Sequence, residues 1–405
     1  MRILMISDRY YPETRSAAHL FQDLAEGLVK RGHDVAVLTK MPTENHPGEV
    51  SNDLSSLPYR DCIAGVTVIR VPGLFSMKRS IGLRAVDQLY FGLRILWRAL
   101  ISAKPDVMVV YSPPLPLAVA GALYSNWSGV PFVLNLHDLY PRTAIELGVL
   151  RNKLLIWVAR RLESFAYRNA AQIVVPAQQS QRILTEQTGV DEKKVHLVFN
   201  WIDTRSIVPD SKRSSFRRLN ALTGRFVVSY AGLMGLAQDL TNVIECARRM
   251  RDQSDVLFLL VGDGVYAERW KDLARGLENV RFLPSVPRDV YLDVLRASDV
   301  CLVPLSASLK SPAIPGKLQS IMAVAKPVIA IVQPDGDAAQ MVWESKCGFV
   351  VAPGDISELQ RVLLKLLSNP TLAEELGRNG RQYAEQQFNL DSAVSTLEKV
   401  LGLAI

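Results

Sequence analysis

The chain has 405 residues, 48% of them hydrophobic and 21% charged, with a formal net charge of +7. That length suits two domains of about 150 to 200 residues, and the balance excludes a disordered or fibrous chain. The four cysteines, at 62, 246, 301 and 347, form no close pair, which argues against a disulfide framework or a zinc site and fits a reducing compartment.

The opening MRILMISD breaks its apolar run at Ser7 and Asp8, too early for a signal-peptide core. The apolar stretch over 105–123 is interrupted by Pro113, Pro114 and Pro116, which is wrong for a spanning helix. A cytoplasmic protein is expected. The short β-branched runs RILMIS, DVAVLT, DVMVVYS, FVLNLHD, IVVPA and VHLVF alternate with segments of helical period, which predicts βαβ units on a parallel sheet. SIVPDSKRSSFRRLNALTG is polar and aperiodic and reads as a linker. The rhythm then restarts with FVVSYAG, VLFLLVGDG, VRFLPSV, VCLVPL, PVIAIV and GFVVAPG. The expected fold is α/β, with two doubly wound, Rossmann-like parallel-sheet domains facing across a cleft. They occupy 1–203 and 225–380, joined by a linker over 204–224, and a long C-terminal helix over 381–405 returns to the first domain.

The charge is uneven, with eight basic residues and only Asp61 and Asp87 as acids from Arg60 to Lys104. Over 81–103, Val86, Leu89, Tyr90, Leu93, Trp97 and Leu100 form one helical stripe, with Arg84, Arg94 and Arg98 opposite. Two readings are open. The stripe packs on its own sheet, or 74–104 meets anionic lipid, helped by Leu74, Phe75, Lys78, Arg79 and a second cluster at Arg151, Lys153, Arg160 and Arg161. No interleaved basic and aromatic platform points to nucleic acid.

Doubly wound sheets bind ligands beyond the carboxyl ends of their strands. The first turn, Asp8 to Ala18, has no GxGxxG, which argues against a nicotinamide oxidoreductase. His137 and Asp138 end the strand FVLNLHD with Arg142 close behind, and a site role competes with a structural one. Arg15 and Ser16 lie in the first loop, where a chain can approach donor and acceptor alike, and Arg142 is read with them as an acceptor-side loop residue; His33 is a turn residue. In the second half, Gly232 with Leu233 and Gly262-Asp263-Gly264 end strands as glycine turns, a pattern that also serves simple strand-to-helix turns. Asp263 either contacts a nucleotide or caps the next helix. The richest stretch is CLVPLSASLKSPAIPGKLQSIMAVAKPVIA, a buried strand, a Pro-rich loop and a helix opening at Gly316. Leu318, Ile321, Met322 and Ala325 mark its inner face, so Lys317, Gln319 and Ser320 are expected to look outward. A helix start beside a strand end, with an adjacent lysine, suits a diphosphate.

The order AGLMGLAQDL, LLVGDG, NVRFLPSV, the 301–330 segment and CGFVVAPGD resembles the donor half of retaining glycosyltransferases of family four, which adopt the GT-B architecture. YYPETRSAAHLFQDLAEGLVKRGHDVAVLT, NLHDLYPRTAIELGVL and FNWID resemble the first half and the crossing segment, so the resemblance covers nearly the whole chain. It is nearest to the bacterial branch of L-fucosamine and colanic acid transferases. The resemblance implies transfer of a sugar, for instance a 6-deoxy N-acetylamino sugar, from a UDP-sugar with retention. The acceptor implied is a saccharide on polyprenyl diphosphate at the inner face of the cytoplasmic membrane, in surface-polysaccharide assembly. No metal or other cofactor is implied. Lys317 and the backbone around Gly232 and Gly316 would hold the diphosphate, Pro315 would join the donor-binding residues, and Leu283 would mark base recognition by backbone groups. The family's paired glutamates correspond to Ser311 and Gln319, and its arginine and lysine to Leu233 and Gln238. Gln319 could accept from a ribose hydroxyl, whereas Ser311 supplies no carboxylate, which leaves Lys317 more of the charge. Two other readings stand: a UDP-sugar 2-epimerase of the same architecture, and a non-catalytic scaffold favoured by the missing glutamates.

Overall fold

In the first half, β1 (Arg2–Ile6), β2 (Asp34–Lys40), β5 (Val107–Ser112), β6 (Phe132–Leu136), β7 (Gln172–Val175) and β8 (Val195–Leu197) occupy the apolar runs read from the sequence. The computed structural model describes residues 1–13, 16–42, 58–74, 81–209, 213–310 and 314–405; Arg15, Phe75, Lys78, Arg79 and Ser311 lie outside these residues, as do the side chains of Ser16 and Arg84. The strands join β3 (Arg60–Ile63) and β4 (Val66–Val71) in one eight-stranded sheet of order β3-β4-β2-β1-β5-β6-β7-β8. All pairings are parallel except β3 with β4. That hairpin escapes the sequence reading; Ala64 and Gly65 turn it at φ of 49° and 83°, as a two-residue hairpin turn of the primed kind requires.

One face of this sheet is covered by α2 (Ile81–Leu100), α3 (Leu115–Ser128), α5 (Lys153–Asn169) and α6 (Gln178–Thr188), whose inner residues share one core with Leu4, Ile6, Val110 and Leu134. α1 (Ser16–Lys30) packs with α15 (Leu390–Ala404), where Gly27 leaves room for Val394. Helix α2 reverses the reading that its stripe packs on the sheet. Asp87, Phe91, Ile95 and Ala99 face inward, while Val86, Leu89, Leu93, Trp97 and Leu100 are exposed. The inward set is spaced i, i+4, and Gly92 allows α3 to approach so closely that a Cβ there would sit 3.1 Å from Pro116. Among the described residues no helix is long and apolar enough to cross a membrane.

The second sheet comprises β9 (Phe226–Ala231), β10 (Val256–Val261), β11 (Val280–Leu283), β12 (Val300–Pro304), β13 (Val328–Ile331) and β14 (Gly348–Val351). It is parallel in the order β11-β10-β9-β12-β13-β14. The winding therefore reverses between β9 and β12, which is where such sheets open a ligand crevice. Around it lie α7 (Arg213–Leu219), α8 (Thr241–Arg249), α9 (Ala267–Leu273), α10 (Arg288–Ala297), α11 (Gly316–Ala323), α12 (Asp337–Ser345), α13 (Ile356–Ser368) and α14 (Pro370–Gln387).

The chain divides into Met1–Asn200 with Leu390–Ile405, and Trp201–Asn389. The described residues of 204–224 group with the second unit. Arg217 on α7 pairs with Asp299 at 3.1 Å and donates to the Ala297 carbonyl at 2.7 Å, so charge that reads as solvated is used in folding. The C-terminal helix is also two helices: α14 stays with the second unit and α15 with the first. The break falls at fully buried Phe388, whose carbonyl accepts from the Ile202 amide at 3.0 Å.

Candidate functional site

At the reversal, the turns after β9 and β10 touch through bare backbone. Gly232, Gly262 and Gly264 have φ of 142°, 145° and 156°. A Cβ on Gly262 would lie 1.9 Å from the Gly232 carbonyl oxygen, and one on Gly264 would lie 2.3 Å from that of Met234. The Gly232 amide donates to Val261 at 2.9 Å and the Met234 amide to Asp263 at 2.8 Å. The glycines are there so that two strand-end turns can interlock, which only Gly permits. Leu283 ends β11 half-buried, and its carbonyl accepts from the Gly262 amide at 3.0 Å.

Lys317 closes over this platform. Its Nζ donates to the Tyr230 hydroxyl at 3.0 Å and lies 4.6 Å from the centre of that ring. Its Cε takes the place that a Cβ on Gly232 would need, at 2.2 Å. Burial lowers the Lys317 pKa to about 8, so the ammonium is retained weakly at neutral pH. Tyr230 in turn donates to the Leu233 carbonyl, and Leu233 itself is exposed. Pro315 precedes α11 in extended conformation, and the first amides of the helix, at Gly316 and Lys317, have no acceptor within it. The Lys317 ammonium and the amides of Gly316 and Lys317 therefore form a cationic, amide-rich seat beside Gly232 at one strand end.

Three expectations need correction here. Gln319 does not look outward; it is 4% exposed, and its Oε1 lies 3.6 Å from where a Gly316 Cβ would be. The eight-residue α11 packs Leu318, Gln319, Ile321 and Met322 inward, a wider face than the i, i+3, i+4 rule marks. Ala325 lies beyond the helix in left-handed conformation, at φ 55°. Asp263 does not cap α9, whose N-cap is Tyr266; its carboxylate accepts from the adjacent Gly264 amide at 2.7 Å. Gln238 is half-buried, and its Oε1 has no hydrogen-bond partner among the described residues.

In the first unit, His137 and Asp138 stand at the carboxyl end of β6. The His137 amide donates to the Ser112 carbonyl at 2.9 Å, and its ring lies 4.8 Å from that of Tyr111. Burial lowers the His137 pKa to about 4, which makes it a neutral imidazole. Desolvation raises the carboxyl of Asp138, although that side chain is exposed and the effect is correspondingly screened. The sequence reading missed Asp8, directly after β1. Burial raises its carboxyl pKa to about 6, against the opposing charge of Arg9 at 3.6 Å. Burial raises the Tyr111 hydroxyl, and the charges of Asp138 and Asp8 add to the rise, which places these groups around one strand-end cluster. MISD carries the same signal as NLHD, an aspartate ending a buried apolar run. Arg142 lies on α4 (Arg142–Glu146) rather than in a loop, bound to Glu146 at 3.0 Å and Gln187 at 2.9 Å. Among the described residues no three His, Cys, Asp or Glu side chains group as metal ligands.

Both halves have recognisable relatives. Residues 17–201 match the profile of a glycosyl transferase 4-like domain, and residues 221–369 match that of glycosyl transferases group 1. The chain is 26% identical over 411 residues to WcaI of Escherichia coli K12, named for colanic acid biosynthesis, covering 97% of this chain and 98% of that one. It is 24% identical over 289 residues to the glycosyltransferase WbjE of Pseudomonas aeruginosa, covering 70% and 71%. Among solved structures, HepE of Anabaena in complex with UDP and glucose superposes with a TM-score of 0.73 at 19% identity, over 99% of both chains. WaaG, a glycosyltransferase of lipopolysaccharide biosynthesis, superposes with a TM-score of 0.72 at 17% identity, over 98% and 99%. The chain belongs to the glycosyltransferases of GT-B fold, with a 4-like domain in its first half and a group 1 domain in its second.

Proposed function

We propose that this glycosyltransferase is a retaining enzyme that moves a sugar from a UDP-sugar to a lipid-linked saccharide in bacterial surface-polysaccharide assembly. The observation that carries the donor reading is Lys317 lying against Gly232 at the start of α11. Those groups aim an ammonium and free amides at one point, the chemistry a departing diphosphate needs. UDP and glucose in the solved HepE complex support the choice of nucleotide. Gln238 Oε1, a buried acceptor in need of a donor, would take a hydroxyl of the nucleotide sugar, and Gln319 is assigned to the ribose.

In the proposed step, the bond between the anomeric carbon and the β-phosphate oxygen breaks. The acceptor oxygen bonds to the same face of that carbon, and the acceptor proton passes to the departing phosphate oxygen. UDP and the glycoside are the products, and no protein nucleophile takes part. Charge grows on the diphosphate as the bond breaks, so the Lys317 ammonium and the Gly316 and Lys317 amides act more strongly on the transition state than on the bound donor. The neutral His137 and the carboxyls of Asp138 and Asp8 are assigned to the acceptor and the transferring sugar. The acceptor is placed on polyprenyl diphosphate at the cytoplasmic membrane, with 74–104 as the segment that meets anionic lipid. A 6-deoxy N-acetylamino sugar is the proposed cargo.

The test is a thermal-shift panel of UDP, GDP, ADP, NAD and nucleotide sugars, followed by transfer to a lipid-linked acceptor with the product anomer read by NMR. Selective stabilisation by UDP and one UDP-sugar, with the donor anomer kept in the product, is the expected result. Donor turnover without acceptor, giving a 2-epimer, would favour the epimerase. Nucleotide binding with no turnover would favour the scaffold.

A further inference from the structure

The side of the first unit formed by α2, α3 and α5 carries an apolar surface that its own fold does not bury. Leu93 and Trp97 on α2 are 67% and 57% exposed, Trp127 on α3 is 71% exposed, and Leu154 and Trp157 on α5 are 67% and 56% exposed. α3 packs between α2 and α5, and the inner residues of all three enter one core, so these side chains share the outer face of one layer. Exposed tryptophans and leucines in such number on one face mark a binding surface.

Charge identifies what the surface meets. The three helices carry seven basic residues and only two acids, Asp87 and Glu163. Asp87 is buried and paired with Lys40. Glu163 is half-buried and accepts from the Tyr167 hydroxyl at 2.9 Å; burial raises its pKa to about 7, so it carries only part of a negative charge. Neither acid offsets the cations outside. Beside the apolar face, between α5 and the turn after α6, lies a recess of about 650 Å³ lined by Trp157, Arg160, Arg161, Arg168 and Lys194. Arg161 stacks over the Trp157 ring at 5.4 Å, which ties this basic recess to the apolar rim. Asp191, also in its lining, accepts from the Lys193 amide at 3.0 Å and is used as a turn cap.

The geometry points to this three-helix face as a docking platform for a bilayer containing anionic lipid, with Trp97, Trp127 and Trp157 entering the headgroup region and the recess of Arg160, Arg161, Arg168 and Lys194 receiving a lipid phosphate. Tryptophan rings settle at the level of the headgroups, and each cation near an anionic surface adds attraction that salt screens. The inference rests on the lipid-linked acceptor reading for its purpose but not for its observation. To the basic cluster of α5 it adds the exposed tryptophans of α3 and α5 and a recess for a lipid phosphate.

The test is flotation of the intact protein with phosphatidylcholine vesicles, with and without phosphatidylglycerol. Quenching of the wild-type tryptophans by brominated acyl chains is measured on the same vesicles and depends on no substitution. UDP binding is scored separately in every sample, so failure at the membrane and failure of the donor reading are distinguishable. Expected are binding to anionic vesicles only, quenching on those vesicles, and at least a tenfold loss of binding in Leu93→Ser with Trp97→Ser and in Arg160→Glu with Arg161→Glu. UDP affinity should be unchanged in both double variants. Absence of wild-type flotation, unquenched tryptophans, or undiminished binding by both variants would overturn the proposal. A self-associated protein whose dimer dissolves in Leu93→Ser with Trp97→Ser would also overturn it, since a second copy would then be the occupant.

Discussion

The Lys317 ammonium donates to the Tyr230 hydroxyl at 3.0 Å while its methylene chain fills the hollow left by Gly232. One side chain is thereby folded back over the carboxyl end of β9, where the sheet reverses its winding. The arrangement holds the cation against the sheet and away from water, and that desolvation is why its pKa falls to about 8.

A bound diphosphate stabilises the ammonium and raises that pKa. UDP affinity should therefore be flat between about pH 7 and 8, above the ionisation of the terminal phosphate at about pH 6, and fall about tenfold per pH unit above about pH 8 until the pKa of the complex is reached. Calorimetry in buffers of different ionisation enthalpy should detect proton uptake near pH 8. Lys317→Ala should show weaker affinity without this alkaline limb, and turnover lower by about 10² to 10³.

Gly262→Ala should be disruptive because its Cβ would stand 1.9 Å from the Gly232 carbonyl oxygen and at a φ that alanine avoids. A loss of about 2 kcal/mol or more is expected, seen as a melting midpoint several degrees lower. Nucleotide binding should fall with it, since Gly232 must move to make room. An alanine variant with unchanged midpoint would refute the interlocked-turn account.

Gln238→Leu separates binding from stability. Removing a buried acceptor that has no partner among the described residues should leave the melting midpoint unchanged or raise it. If Gln238 accepts from the nucleotide sugar, affinity should fall about tenfold, the effect of one lost hydrogen bond of about 1.4 kcal/mol. Equal affinity in the variant would remove Gln238 from the donor site.

Asp8 gives a prediction with the opposite pH sense to most carboxylates. Its folded pKa of about 6 lies above the ordinary value of 3.8, so folding favours the protonated form. Its contribution to stability is complete at low pH and is lost as pH rises through about 6. Asp8→Asn should raise the melting midpoint at pH 8 and leave it unchanged near pH 4, with a gain of at most about 3 kcal/mol.

The alternation of strand and helix was readable because strands buried on both faces, such as β5 and β10, appear as unbroken apolar runs. The short hairpin of β3 and β4 was not, since its edge strand β3 is only partly buried and its turn rests on a positive φ at Ala64. Pro315, Gly316 and Lys317 stood out as a helix start, but the burial of Gln319 depends on packing that helical periodicity alone does not contain. Asp8 was hidden for a related reason: a carboxylate after a strand looks the same in sequence whether it is solvated or desolvated. Helix α2 misleads more directly, because its strongest apolar stripe faces outward and a weaker one makes the core.

The most direct test of the central claim is calorimetric titration of UDP into the wild-type protein and into Lys317→Ala. Saturable binding to the wild type, at least tenfold weaker in the variant, is the predicted result. No binding to either protein, or equal affinity in both, would contradict a diphosphate seat at Gly232, Gly316 and Lys317.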